Sequence, residues 1–373
     1  YSMAGAHFGY TLLWSLFPIT IALIIVQEMC ARMAVATGKG LADLIRENYG
    51  VKITFYLMCF LFLVNLTNVM AEFAGVAVSL EIFHISKFIS VPIAAAFVWW
   101  LVVKGNYKTV EKVFLFVCLF YVAYIISGFI ARPDWNEVYR QAFSPQIDWN
   151  FPYVVMLVGL VGTTIAPWMQ FYLQSSIVEK GVTIEEYKHI RLDVVGGCVI
   201  APIVAFFIVV ACAATLYQEG LTIESAQEAA LALKPLAGPY ASWLFSFGLF
   251  IASIFAASIL PLSTAYSICE GMGWDACVDK RFEEAPQFFF LYGFIIIVGA
   301  GVVLIPRFPL LNMMYFSQVG NGILLPFILI FMLQLINKPE IMGEFTNNRG
   351  LNIFTWVTVV LIIVLTLLMV VFT

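Results

Sequence analysis

Gly162, Thr163, Thr164 and Pro167 fall in the middle of an apolar segment of bilayer-spanning length, and Trp168, Gln170 and Gln174 follow them. Pro167 has no N–H and its ring crowds the preceding turn, so carbonyls near Thr163 and Thr164 lose their helical partner. Lipid offers those carbonyls nothing. Broken backbone at membrane depth persists only where it is buried in protein or lines a watery cavity. Free carbonyls at a discontinuous helix, turned to a cavity near the midplane, are chemistry for holding a cation. On this stretch alone, a proline kink in an ordinary bundle helix fits equally well.

Charged residues inside apolar segments are the next candidates for chemistry, because each is costly there. Glu28 and Arg32 stand four apart, a spacing that lets them pair on one helix. Glu111, Lys112 and Glu270 lie near helix ends, where long side chains reach back to water. Trp99 and Trp100 read as interfacial or packing aromatics. The segment from Glu179 to Asp193 mixes both signs of charge and reads as a solvated helix start.

The elements that must position these residues follow from composition. Of 373 residues, 62% are hydrophobic and 11% are charged. A soluble domain carries about 25% charged residues, so this is an all-α polytopic membrane protein. A net charge of −4, spread over loops, offers no nucleic-acid surface. The seven cysteines are scattered and read as small core residues, not as a disulfide frame or a zinc site. Three histidines, at 7, 84 and 189, are too far apart in sequence to argue for a histidine metal cluster. No positively charged leader precedes the first apolar run, so no signal peptide is read. The abrupt opening at Tyr1 reads as a chain that continues upstream.

Residues 1–8 read as a short helical end. Ten full spans follow, near 11–36, 53–81, 87–103, 108–131, 152–178, 190–217, 238–270, 286–306, 309–337 and 351–372, each able to cross about 30 Å of hydrocarbon. With alternating sides and the 37–52 loop in the cytoplasm, fourteen of the 19 basic residues fall inside and five outside, a positive-inside pattern. Residues 1–10 then lie outside, and a helix upstream of Tyr1 would give eleven spans with a cytoplasmic N-terminus. The longest external loops are 131–151 and 218–237, the second with an amphipathic piece from Ile223 to Leu233 lying on the surface. Counting the upstream helix as first, the broken segment is sixth. A five-plus-five inverted repeat would make the first and sixth helices equivalents, both broken at one site.

Several stretches resemble the NRAMP divalent-metal transporters. They are Ala4-Gly-Ala-His-Phe-Gly-Tyr-Thr-Leu-Leu-Trp14, Ala36-Thr-Gly-Lys-Gly-Leu-Ala-Asp43, Arg191-Leu-Asp-Val-Val195, Pro235-Leu-Ala-Gly238, Phe316-Ser-Gln-Val-Gly-Asn-Gly322 and Met342-Gly-Glu-Phe345. Their order and spacing carry the resemblance over essentially the whole chain. It implies a LeuT-type fold of two inverted five-helix repeats plus an eleventh helix, with most of the first helix upstream of Tyr1. One transmembrane domain would cover 1–373, with 1–131 the rest of the first repeat, 152–337 the second and 351–372 the final helix. The family's metal site uses an Asp-Pro-Gly-Asn break in the first helix, which lies upstream, and a Met-Pro-His break in the sixth. Here Ala166-Pro167-Trp168 stands in place of Met-Pro-His, and Tyr172-Leu-Gln-Ser175 in place of Tyr-Leu-His-Ser.

These departures have chemical consequences. A thioether is a soft ligand suited to transition metals. Ala166 removes it and leaves space. Mg²⁺ is hard and keeps several waters, so a roomier site of hydroxyls, amides and carbonyls suits it. Thr163, Thr164, Gln170, Gln318 and Asn321 are candidates for that lining, beside Ala166, Pro167 and Trp168. Gln318 and Asn321 are three apart, on one helix face, flanked by Gly320 and Gly322, which allow close approach or local unwinding. The alternatives stay open: threonines bonding back to their own helix, and amides bonding between helices. Glu72 stands at a family acidic position and is a candidate for gating or coupling. The family's second acid, three residues earlier, corresponds to Val69, or to Asn68 with a one-residue slip. The 286–306 span carries no charge where proton-coupled members carry arginine.

The departures resemble the NRAMP-related magnesium transporters. The reading is therefore a plasma-membrane carrier, not an enzyme, that moves Mg²⁺ and also Mn²⁺ by alternating access without a proton. It needs no cofactor, has the divalent ion and the bilayer as partners, and acts as a monomer. The rivals are a proton-coupled Mn²⁺ or Fe²⁺ importer, an amino-acid carrier on the same fold, and a sensor that does not transport.

Overall fold

The computed structural model describes residues 1–104, 122–144, 147–148, 150–221, 223, 226–234, 238–275 and 283–371. Glu111, Lys112, Trp149, Pro235 and most of the 108–131 span lie outside the described residues. Among those described there are helices and no strands. A short helix α1 (Ser2–Phe8) leads into α2 (Leu13–Thr37), which Gly38 ends in the left-handed conformation at φ 63°. The chain continues through α3 (Leu41–Glu81), α4 (Lys87–Lys104) and α5 (Val122–Ile130). After a surface helix α6 (Trp135–Phe143) come α7 (Phe151–Thr164) and α8 (Pro167–Glu179). Next are α9 (Tyr187–Cys212), the short α10 (Ala226–Ala230) and α11 (Ala241–Met272). The last are α12 (Pro286–Val303), α13 (Leu310–Ile336), the single turn α14 (Pro339–Met342) and α15 (Arg349–Val371).

Eight of these, taking α7 and α8 as one, are long and apolar enough to cross a bilayer, and α4 is a shorter apolar helix. Their outward faces carry large apolar side chains, among them Phe60 and Leu63 on α3, Ile93 on α4, Ile200 on α9 and Ile297 on α12. In water such patches would drive association; around a bundle they fit lipid. Inside, α3 packs along α11 and α13, α7 along α13, and α9 along α2. One buried apolar cluster joins α2, α7 and α13, and a second joins α3, α11 and α12.

Some elements depart from expectation. The span expected at 53–81 is the longer part of α3; Gly50 (φ 82°, ψ 163°) breaks off a first piece, 41–49. A side chain there would be strained at that φ. The 131–151 loop contains α6, whose start is set by Asp134. Its carboxylate accepts from the Asn136 and Glu137 N–H groups, the ordinary N-cap arrangement. Arg140 donates to Glu137 at 2.7 Å and holds its carboxyl below the usual range. The amphipathic piece at 223–233 does not lie free on the surface. Ala229, Ala230 and Leu233 are buried against the bundle.

The Glu28–Arg32 pair forms, at 3.1 Å, with both side chains about one-tenth exposed. Arg32 also donates to Phe345 O, Thr346 O and Asn347 Oδ1, and Tyr187 donates to Glu28 Oε1. The pair thus ties α2 to α9 and to the segment before α15. Glu270, expected to reach water at its helix end, instead lies against Gly40, where a Cβ would sit 2.0 Å from its Oε2. Removing one partner of a buried ion pair costs about 3–5 kcal/mol, whereas an exposed pair such as Lys39–Glu47 is worth about 1 kcal/mol or less. Arg32→Ala is therefore expected to lower the melting temperature of the purified protein markedly, and Lys39→Ala hardly at all. Equal shifts in a thermal melt would contradict this account.

Candidate functional site at the broken helix

Asn150 starts α7 by accepting the Tyr153 N–H at 3.0 Å. The helix then runs to Thr164 and stops. Ile165 (φ −122°, ψ 64°) leaves the helical region, Ala166 (φ −69°, ψ 137°) is extended, and Pro167 opens α8. A proline at the first helical position suits both its missing N–H and its fixed φ. The last backbone bond of α7 is Ile165 N–H to Val161 O at 2.8 Å, and the next runs from Met169 N–H to Ala166 O at 3.0 Å. The carbonyls of Gly162, Thr163 and Thr164 fall in the gap between them. Gln170 is fully buried beside the break. In the amide orientation its neighbours require, its NH₂ donates to Ala166 O and Pro167 O, both at 2.7 Å. Gln170 thus braces the far side of the break.

The break is held against α13 at close range. A Cβ on Gly162 would lie 2.0 Å from Gln318 O, and one on Gly322 would lie 2.5 Å from Val158 O. These two glycines let the helix backbones touch. Helix α13 runs unbroken through Gly320 and Gly322, so the glycines serve approach rather than unwinding. Gly320 itself has open space where a Cβ would stand. The crossing lays one turn of α13 beside the break. There Asn321 exchanges hydrogen bonds with Asn68 of α3 at 2.8 and 3.0 Å, and donates to Gln318 Oε1 at 3.0 Å.

A cavity of about 670 Å³ opens in front of this crossing. Of the residues singled out in the sequence, it brings together Thr163, Trp168, Gln318 and Glu72. Tyr1, Ser2 and Tyr315 add further polar groups, and Met156, Phe245, Phe255 and Met314 are among its apolar walls. Glu72 is partly buried, with Ser253 of α11 beside its carboxyl group. The other residues singled out are not on the wall. Thr164 bonds back to Leu160 O at 2.6 Å and shares a 2.7 Å bond with the Tyr1 hydroxyl. Ala166, Pro167 and Gln170 are buried in the break, and Asn321 is buried behind Gln318. Among the described residues, no three of His, Cys, Asp or Glu converge as a metal cluster. The donors at the break are hydroxyl, amide and carbonyl oxygens.

Two participants were not read as such from the sequence. Asn68 entered only as a possible place for a missing acid, and Ser253 not at all. Asn68 and Glu72 are four apart on α3 and so share a face, which was the available signal for the first. Ser253 left none. Val69, three before Glu72, packs on α12. It is fully buried, and a Cβ on Gly299 of α12 would lie 2.7 Å from its Cγ1.

Known proteins give the same picture. The family model described as Nramp, natural resistance-associated macrophage protein-like, matches residues 1–372. The "Divalent metal cation transporter MntH" of Deinococcus radiodurans is 26% identical, over 97% of this chain and 82% of its own. That of Caldanaerobacter subterraneus is 28% identical, over 92% and 81%. Crystal structures of the Eremococcus coleocola manganese transporter share the fold. One mutant has TM-score 0.75 at 20% identity, and a complex with an aromatic bis-isothiourea substituted compound has TM-score 0.72 at 21%. Each covers 99% of this chain and 81% of the other. The helical order, the broken α7–α8 pair and the match along the whole sequence agree: the chain has the LeuT-type fold and belongs to the Nramp family.

Proposed function

We propose that this protein carries divalent cations across a membrane by alternating access, with Mg²⁺ favoured, Mn²⁺ accepted and no proton coupled. Divalent-metal transport is what the family and the named relatives support. One observation supports the finer reading: at the break in α7–α8, the residues on the cavity wall are Thr163, Trp168 and, across from them, Gln318, so the oxygens offered there are a hydroxyl and an amide. Residue 166 is Ala and offers no thioether, and Met169 in the first turn of α8 packs on the apolar core and is not on the cavity wall. Met156 and Met314 line the cavity seven residues before Thr163 and four before Gln318. Neutral oxygens cannot replace the hydration of Mg²⁺, which keeps several of its waters. Six waters at roughly 30 Å³ each need about 180 Å³. The cavity exceeds that several times over, so the ion can enter hydrated and exchange only some waters for Thr163 and Gln318.

The cavity reaches from the break to Ile223, Leu233 and the first turns of α11 and α13, the side that the charge pattern assigns to the exterior. Toward the other side, Gln174 donates to Lys39 O at 3.0 Å and Tyr266 donates to Glu179. These contacts tie the α2–α3 turn, α8 and α11 together. Alternation would break them and close the first turns of α11 and α13. Along a route through Val69 and α12 there is no Asp, Glu, His, Lys or Arg side chain, and Val69 packs directly on Gly299.

In proteoliposomes, Mg²⁺ is expected to compete with Mn²⁺ for uptake; Mn²⁺ uptake unaffected by millimolar-scale Mg²⁺ would refute the magnesium reading. Ala166→Met adds a soft donor at the break and is expected to raise the preference for Mn²⁺ or Cd²⁺ over Mg²⁺. An unchanged uptake ratio would mean that residue 166 does not meet the ion. Metal uptake is expected to leave lumenal pH constant. Acidification reported by a trapped dye, dependent on both metal and protein, would contradict the uncoupled mechanism.

A further inference from the structure

Gln318 lines the cavity with an amide that has two unlike ends. Its oxygen can hold a cation or a cation's water, and its NH₂ group repels one. An amide free to rotate would present either. The hydrogen bonds around it remove that freedom, and their direction can be read from one end.

The chain of bonds starts at a fixed acceptor. Met314 O is a backbone carbonyl and accepts the Ser317 hydroxyl proton at 3.0 Å. Ser317 Oγ has therefore spent its one proton and meets Gln318 as an acceptor, at 3.1 Å from Gln318 Nε2. That places the NH₂ of Gln318 on the Ser317 side and its Oε1 on the Asn321 side. Asn321 Nδ2 donates to this oxygen at 3.0 Å, and its second proton goes to Asn68 Oδ1 at 3.0 Å. Asn321 Oδ1 is then left to accept, which it does from Asn68 Nδ2 at 2.8 Å. Every amide in the chain has one orientation consistent with all the others. Asn68 and Asn321 are essentially inaccessible to solvent, at 2% and 1% exposure, so water does not compete for these bonds.

We infer that Asn68, acting through Asn321, is a positioning residue that fixes the Gln318 amide with its oxygen available to the cation. Oε1 accepts one proton in this chain and keeps a second acceptor site. The inference rests on the proposal that Gln318 meets the ion. Asn68 comes from α3 and Gln318 from α13, so the link also makes the orientation of the amide depend on those two helices staying in register.

Without Asn68, Asn321 Oδ1 has lost its donor, and Asn321 can rotate to find another. Gln318 is then released. Asn68→Leu keeps the volume and removes both bonds. It is expected to raise the KM for Mg²⁺ uptake about fivefold, the equivalent of one net hydrogen bond of about 1 kcal/mol, with a smaller change in maximal rate. Gln318→Ala is expected to raise KM at least as much, and the double variant no further than Gln318→Ala alone. A residue that merely supported the fold would lower the amount of active protein and add its effect to that of Gln318→Ala. The measurement is initial Mg²⁺ uptake against concentration in proteoliposomes for the three variants, each checked by size exclusion. Asn321→Leu cuts the same chain at its middle and takes the place of Asn68→Leu if that variant does not fold. An additive double variant, or an unchanged KM in Asn68→Leu beside a raised one in Gln318→Ala, overturns the role of Asn68 alone. An unchanged KM in Gln318→Ala removes α13 from the cation site and overturns the proposal beneath it as well.

Discussion

A backbone carbonyl in hydrocarbon must have a partner, and Pro167 denies one to the turn before it. Much of the centre of this molecule answers that constraint. The chain leaves the helical conformation for two residues, Ile165 and Ala166. Gln170 turns its amide back onto the carbonyls of Ala166 and Pro167. The carbonyls of Gly162, Thr163 and Thr164, by contrast, lie in the gap of the backbone ladder, beside the cavity that Thr163 lines. The two sides of the break are thus treated differently: Gln170 closes one, and on the other Thr163 lines the cavity.

The break would be of little use without a second wall at a fixed distance, and glycine supplies it. Gly162 and Gly322 allow α7 and α13 to meet backbone to backbone, with Gln318 O where a Gly162 side chain would be. Close approach of this kind is how helices associate in lipid, where burial of apolar surface gives no net drive. Its consequence is positional. The turn of α13 that carries Gln318 and Asn321 is pinned beside Thr163, and Asn68 of α3 closes the third side through its paired amide.

Much of this was legible in the sequence, and the remainder was not for identifiable reasons. The apolar runs gave the spans, and Gly162, Thr163, Thr164 and Pro167 close together in one of them gave the break, because hydropathy and a missing N–H are local properties; Pro18, Pro92, Pro202, Pro261 and Pro326 sit inside helices that continue. Gly50 and Asp134 are local too, yet a single glycine in an apolar run or an Asp in a loop has many uses. The Asn68–Asn321 pair spans 253 positions and nothing near either residue announces it. Which threonine faces the cavity was also hidden. Thr163 and Thr164 are adjacent, and the rotation of the last turn of α7 decides that Thr163 looks out while Thr164 bonds to Leu160. The spacing at 223–233 predicts an amphipathic piece but not what it packs on, and Ala229, Ala230 and Leu233 are buried against the bundle.

The proposed site has a physical logic that sets it apart from a cluster of charges. Carboxylates or thiolates converging on a divalent ion in a medium of low dielectric would bind it strongly, and a carrier must also release it. Hydroxyl, amide and carbonyl oxygens bind more weakly and leave the ion most of its water. Their effect then depends on orientation, because a dipole turned the wrong way repels the ion that it would otherwise hold. That is why the buried amides behind Gln318 matter. Glu72 is the one acidic side chain among the residues described on the cavity wall, and it lies in a mostly apolar part of it. In the proposed mechanism the oriented neutral oxygens, more than this carboxyl group, would therefore decide where in the cavity the ion rests.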